Sequence, residues 1–89
     1  MDITYKVQLA ASKNKLNTDL RKWAKISDFN FSKTDQWYRY YAGNYPDYQK
    51  ALEVRKRYKD NGFPSAFIVA FKDGQKIKLE EAMSLQENP

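Results

Sequence analysis

Alternation of apolar and polar residues is clearest at the start of the chain, where Ile3, Tyr5, Val7 and Leu9 alternate with Thr4, Lys6 and Gln8. A period of two places these sets on opposite faces, so Ile3 to Ala10 reads as a half-buried strand. The pattern then changes. Ser12 and Asn14 offer caps, and Leu16, Leu20 and Trp23 stand at i, i+4 and i+7, which predicts a short helix with its apolar stripe towards the core. Weak alternation from Ile26 to Phe31 predicts a second strand, followed by a polar turn cluster from Ser32 to Asp35. Gln36 to Ala42 is almost solidly aromatic, which predicts a third strand because bulky rings pack well on a pleated surface. Gly43-Asn44-Tyr45-Pro46 is expected to end it. Asp47 then caps a helix carrying Tyr48, Ala51, Leu52 and Tyr58 on one side, with Lys56, Arg57 and Lys59 suiting its C-terminal dipole and Asn61-Gly62 stopping it. Ala66 to Phe71 is a short apolar strand, and Lys72-Asp73-Gly74 turns the chain into a smaller alternation at Ile77 and Leu79 that suits a minor fifth strand. Glu80-Glu81 reads as a helix start or a tail, and Gln86 to Pro89 as a frayed end.

The order strand, helix, strand, strand, helix, strand predicts an α+β fold of the βαββαβ, ferredoxin-like or RNP-like kind. In it, two helices pack on one face of a four-stranded antiparallel sheet and the other face stays open. Strand parity decides what that open face carries: with Val7, Leu9 and Tyr40 turned to the helices, Lys6, Gln8, Trp37, Arg39 and Tyr41 turn outward. Trp23, Tyr38 and Tyr40 are expected in the core.

The 89 residues are expected to form one domain over 1–85, with an extension from about residue 72. With no Cys and no His, thiolate and imidazole metal sites, Cys or His nucleophiles and Ser-His-Asp arrangements are excluded, and no metal or cofactor is expected. Sixteen Lys and Arg against eleven Asp and Glu leave +5, concentrated in the N-terminal and central parts, where residues 1–34 alone carry seven cations and three anions. Basic character together with seven Tyr, five Phe and two Trp suggests a polymer-binding face. The Arg55-Lys56-Arg57 run reads as the solvated side of the second helix. No apolar stretch approaches the roughly 20 residues needed to span a bilayer, and strand-like sequence follows Met1 directly, so neither membrane contact nor a signal peptide is expected in this segment.

Tyr5-Lys6-Val7-Gln8-Leu9-Ala10 and Trp37-Tyr38-Arg39-Tyr40-Tyr41-Ala42-Gly43-Asn44-Tyr45 resemble the two half-repeats of the SPOR domain family, bacterial modules that bind peptidoglycan. Gly43, Tyr45 and Ala51 keep the family's spacing from turn to helix, and Asn61-Gly62-Phe63 with Ala66 to Ala70 resembles its helix exit and last strand. Ala10, Ala11 and Ser12 depart from the usual first-loop residues. The resemblance implies non-enzymatic binding, in the sheet groove, of glycan strands stripped of stem peptides, as found at division septa. Gln8, Trp37 and Arg39 match sheet-facing positions of the family, and Phe67 sits where an apolar residue flanks the groove. Trp37 and Tyr41 would offer rings to sugar C–H faces, and Gln8 and Arg39 planar hydrogen-bonding forks. The expected partner is therefore peptidoglycan glycan, bound by a monomer in the cell envelope or periplasm as part of a larger exported protein, with no nucleic acid.

The alternatives are of other classes. An RNA-recognition motif shares the strand order and stacks bases on sheet aromatics, but its octamer begins with Lys or Arg, Gly and an aromatic on the third strand, and this strand lacks that start. A glycan hydrolase would need paired carboxylates across a larger cleft. A protein-interaction module would use the aromatic face as an apolar patch, and Trp37 would also be explained by packing beneath a loop or the C-terminal extension.

Overall fold

The computed structural model of the chain describes residues 2–19, 21–26 and 28–87, without the side chains of Lys22 and Glu87. The elements are β1 (Ile3–Ser12), a 3-10 turn (Arg21–Trp23), β2 (Phe29–Thr34), β3 (Trp37–Tyr45), α1 (Tyr48–Lys59), β4 (Phe67–Lys72), β5 (Gln75–Ile77) and α2 (Leu79–Glu87). The strands form one antiparallel sheet in the order β2-β3-β1-β4-β5. The α+β class holds, with both α-helices on one face. The four-stranded ferredoxin-like plan needs two corrections: the sheet has five strands, and its second helix is α2 at the C-terminal end rather than a helix between β1 and β2.

The missing first helix has a local cause. Ser12 Oγ accepts from Asn14 N at 3.2 Å and Asn17 Oδ1 from Asp19 N at 3.0 Å, side-chain bonds that offer the backbone a non-helical alternative. Leu16 N donates to the Tyr40 hydroxyl at 2.8 Å, which fixes the segment from outside. Leu20, the middle residue of the expected stripe, lies outside the described residues. Trp23 still reaches the core, packing against Phe63 at 5.0 Å and Tyr40 at 5.3 Å between centroids.

Strand parity builds the helix-side core from Ile3, Tyr5, Val7, Leu9, Tyr40, Ala42, Ile68 and Ala70, all buried. Two irregularities between β1 and β3 adjust that parity. From Gln8↔Tyr41 to Ala10↔Tyr40, β1 spends two residues against one, so Leu9 and Ala10 both turn to the core. From Val7↔Ala42 to Tyr5↔Tyr45, β3 spends three against two, and the extra residue sits at Gly43, whose φ is +77°. A Cβ there would fall inside the Tyr45 ring, so the position needs glycine both for its dihedral and for its space. β3 therefore runs through the expected breaker to Tyr45. β2 starts and ends three residues later than expected, because Asp35 and Gln36, both with positive φ, make the two-residue turn.

α1 starts where Asp47 accepts from Gln49 N at 3.0 Å and ends where Asn61 N and Phe63 N both donate to Tyr58 O at 3.0 Å. It buries Ala51, Val54 and Tyr58. α2 adds Ala82 to the cluster of Ile3, Tyr5, Ala51, Ile68 and Ala70. Gln86, expected in the tail, belongs to this helix: its Oε1 accepts from the Tyr5 hydroxyl at 2.5 Å and its Nε2 donates to Pro46 O at 3.2 Å.

Candidate functional site

The face away from the helices is built in rows by the register. Asn30, Tyr41, Gln8 and Phe67 stand side by side on β2, β3, β1 and β4. Towards the start of β3 lie Ser32, Arg39 and Ala11, then Thr34 and Trp37; in the other direction lie Lys6 and Val69, then Thr4, Phe71 and Lys76. All five residues expected in the site, Gln8, Trp37, Arg39, Tyr41 and Phe67, thus share one face. Strands about 4.8 Å apart rising about 3.3 Å per residue put Trp37 and Phe67 at opposite ends of a diagonal of roughly 16 Å. That length suits an extended chain better than a compact ligand.

The five differ in exposure. Trp37 and Phe67 show 36% and 45% of their surface and are the platforms a ligand can reach. Tyr41, expected as a platform, is 5% exposed. Its ring meets Phe71 edge-on at 6.1 Å, and Lys6 Nζ stands 5.6 Å from its centroid and 5.2 Å from that of Phe71. Tyr41 is therefore floor, with its face already taken. Trp37 is not covered by α2, which packs on the other side of the sheet; its neighbour is Lys13, whose Nζ lies 5.7 Å from the ring centroid.

Gln8 is the one buried polar residue among those described, at 6% exposure, and its Oε1 has no hydrogen-bond partner among the described residues. A buried acceptor left unpaired is costly, and here it lies in the row between Tyr41 and Phe67. Arg39 is held from its own hairpin: Nη1 donates to Thr34 Oγ1 at 2.7 Å and, more weakly, to Thr34 O at 3.4 Å. Its remaining N–H groups have no partner among the described residues, so it presents an oriented, incompletely used fork.

Asn30 and Phe71 belong to the same surface and were not singled out from the sequence; Lys6, turned outward by its parity, was not counted among the site residues. Lys6 Nζ donates to Asn30 Oδ1 at 3.3 Å, while Asn30 Nδ2 donates to Asp28 O at 3.1 Å, which fixes the amide across β2, β3 and β1 on this face. Lys6 has the parity of Gln8 and Phe71 that of Phe67, so both were within reach of sequence reasoning; Asn30 depended on the β2 register.

The tyrosines held above their usual range are on the helix side: Tyr5 through burial and then the nearby Asp47 and Tyr48, and Tyr45 through burial, Tyr58 and Asp28, with Arg57 opposing. No group of three or more Asp and Glu able to hold a metal ion occurs among the described residues, and no described helix is long and apolar enough to cross a membrane. What the face provides is two exposed rings, a guanidinium, an unpaired amide oxygen and a lysine.

Comparison with known families gives a match to the one described as SPOR domain, over residues 2–70, from the start of β1 into β4. β5 and α2 lie beyond it. No curated protein and no solved structure matches the chain.

Proposed function

The chain belongs to the SPOR domain family, a family of peptidoglycan-binding domains, and from that premise we propose that it binds glycan strands lacking stem peptides in the open-face groove. Binding is non-catalytic. The glycan runs along the diagonal from Trp37 across Arg39, Gln8 and Tyr41 to Phe67, and the domain thereby targets a larger exported envelope or division protein.

The observation that carries this reading is Gln8 Oε1, a buried acceptor without a partner among the described residues, at the centre of the diagonal. A sugar hydroxyl or acetamido N–H is a neutral donor of the kind it needs, while Trp37 and Phe67 take the apolar ring faces. Arg39 donates to sugar oxygens with the N–H groups Thr34 leaves over. The discrimination against intact wall is steric: a stem peptide on each repeat would hold the strand off a floor made of Gln8 and Tyr41. Short fragments should bind at micromolar Kd or weaker, about −8 kcal/mol at most. Repeated sites along one strand raise apparent affinity. The domain acts as a monomer.

The test is co-sedimentation with purified sacculi before and after an amidase removes the stem peptides, with single-stranded RNA binding measured in parallel at physiological salt. Stronger retention on the stripped wall, reduced by Arg39→Ala, is expected. Equal retention on both walls that vanishes with salt would reduce the interaction to charge, and salt-sensitive RNA binding alone would favour base stacking on the same rings.

A further inference from the structure

On the helix side, away from the open face of the sheet, a cavity of about 510 Å³ opens between the 3-10 turn and the C-terminal end of α1. It is lined by Arg21, Lys25, Arg57, Tyr58 and Asn61. We propose that this cavity is a second binding site, for a phosphate group carried on a polyol or sugar chain.

Arg21 and Lys25 line it from one segment and Arg57 from another more than thirty residues away, and no carboxylate lines the cavity among the described residues. None of the three has an ion-pair partner among them. The contrast with the neighbouring cavity of about 230 Å³ is instructive. That one also has three cations, Arg55, Lys56 and Lys59, but it contains Asp60, and Arg55 Nε is committed to Ala66 O at 3.2 Å. Of these two cavities, the larger is the one lined by cations with no carboxylate among the described residues.

A helix C-terminus normally repels anions through its free carbonyls. Here the last turn of α1 is largely closed. Lys56 O accepts from Asp60 N at 3.3 Å, Arg57 O from Asn61 Nδ2 at 2.6 Å, and Tyr58 O from two backbone N–H groups. With those oxygens occupied, the end of α1 offers an anion fewer free carbonyls than an uncapped helix terminus would. Arginine forks match phosphate oxygens in pairs, and two of the three cations are Arg. The volume lies in the range of about 300–1,000 Å³ typical of small-molecule sites, and the Tyr58 ring offers a wall to the carbon part of such a ligand. A phosphate group on a larger chain therefore fits better than a bare ion.

The test uses the full chain, titrated with sodium phosphate and, at matched ionic strength, sodium chloride, followed by amide chemical shifts. Saturable shifts at Lys25 and Asn61 with phosphate alone are expected. Affinity should fall about tenfold or more in Arg21→Gln/Arg57→Gln and stay unchanged in Lys50→Gln, which removes a charge outside the cavity. Should the double variant fail to fold, Lys25→Gln makes the same test. A poly(glycerol phosphate) chain should displace inorganic phosphate; if it does not while phosphate still saturates, the chain-borne ligand is wrong and the site serves the free anion. Non-saturating shifts, or equal shifts in wild type and double variant, would overturn the proposal. Binding to stripped sacculi is unaffected by these variants if the groove binds glycan, so the two sites fail separately.

Discussion

Replacing Gln8 by Met separates the stability of the domain from its function. The Gln8 side chain is buried at 6% exposure and its Oε1 has no partner among the described residues, so the free chain carries an unsatisfied acceptor worth about 1–3 kcal/mol. Met has a similar unbranched length and adapts to irregular gaps, so it removes that penalty without opening a cavity. Gln8→Met should therefore stabilise the domain by about 1–2 kcal/mol, and at roughly 4–8 °C per kcal/mol for a domain of this size the melting temperature should rise visibly. The same change removes the acceptor proposed to meet the glycan, at a loss of about tenfold or more in affinity for one hydrogen bond in a dry groove. Urea titration checks the first part, with an unchanged slope showing that the native state is otherwise intact. Retention on stripped sacculi checks the second. A variant that melts below wild type would show that Oε1 is satisfied in the folded protein; a stabilised variant that still binds would refute the role assigned to Gln8.

Phe67→Ala should weaken retention on stripped sacculi with little change in melting, since Phe67 is 45% exposed on a rim; a large loss of stability would mark it as core instead. Gly43→Ala should cost about 2 kcal/mol or more in urea unfolding, from its φ of +77° and the forced displacement of the Tyr45 ring, and an unchanged midpoint would contradict the bulge described. Tyr5 and Tyr45 have folded pKa values raised above the ordinary tyrosine value of 10.0. Their contribution is whole below pH of about 10 and is lost as pH rises from there through the folded pKa. Tyr45→Phe should therefore flatten the alkaline limb of a stability–pH curve, and a limb as steep as wild type would locate the titration elsewhere. Gln86→Ala should cost about 1 kcal/mol through the lost acceptor of the Tyr5 hydroxyl, measured by thermal melting; no loss would mean that α2 is not latched there.

β1, β4 and α1 were legible because each carries its own signature: strict alternation, a short apolar run, and a helix with an Asp cap and an Asn-Gly stop. The failures came where tertiary contacts decided. Leu16 and Trp23 have helical spacing, yet local Asn and Ser bonds and the Tyr40 hydroxyl hold the crossover in another form. The β2 boundary moved because Asp35-Gln36 takes the left-handed turn usually signalled by glycine. The docking of α2 rests on Gln86 meeting Tyr5, 81 positions away, which no window along the chain reports. Parity placed Gln8, Trp37, Arg39 and Tyr41 on one face, and the family resemblance added Phe67, which the register puts in the same row. Parity could not say that Lys6 and Phe71 close over Tyr41, because burial within a face depends on neighbours across strands.

The central claim is that glycan lies across the open face. Its most direct test is an amide and side-chain shift titration of the full chain with peptide-free glycan oligomers. The account predicts shifts along the diagonal, at Trp37 Nε1, Arg39, the Gln8 side-chain amide, Tyr41 and Phe67, with Trp23, Val54 and Tyr58 unmoved. Saturable shifts confined to the helix side, or none on the diagonal at saturation, would contradict it.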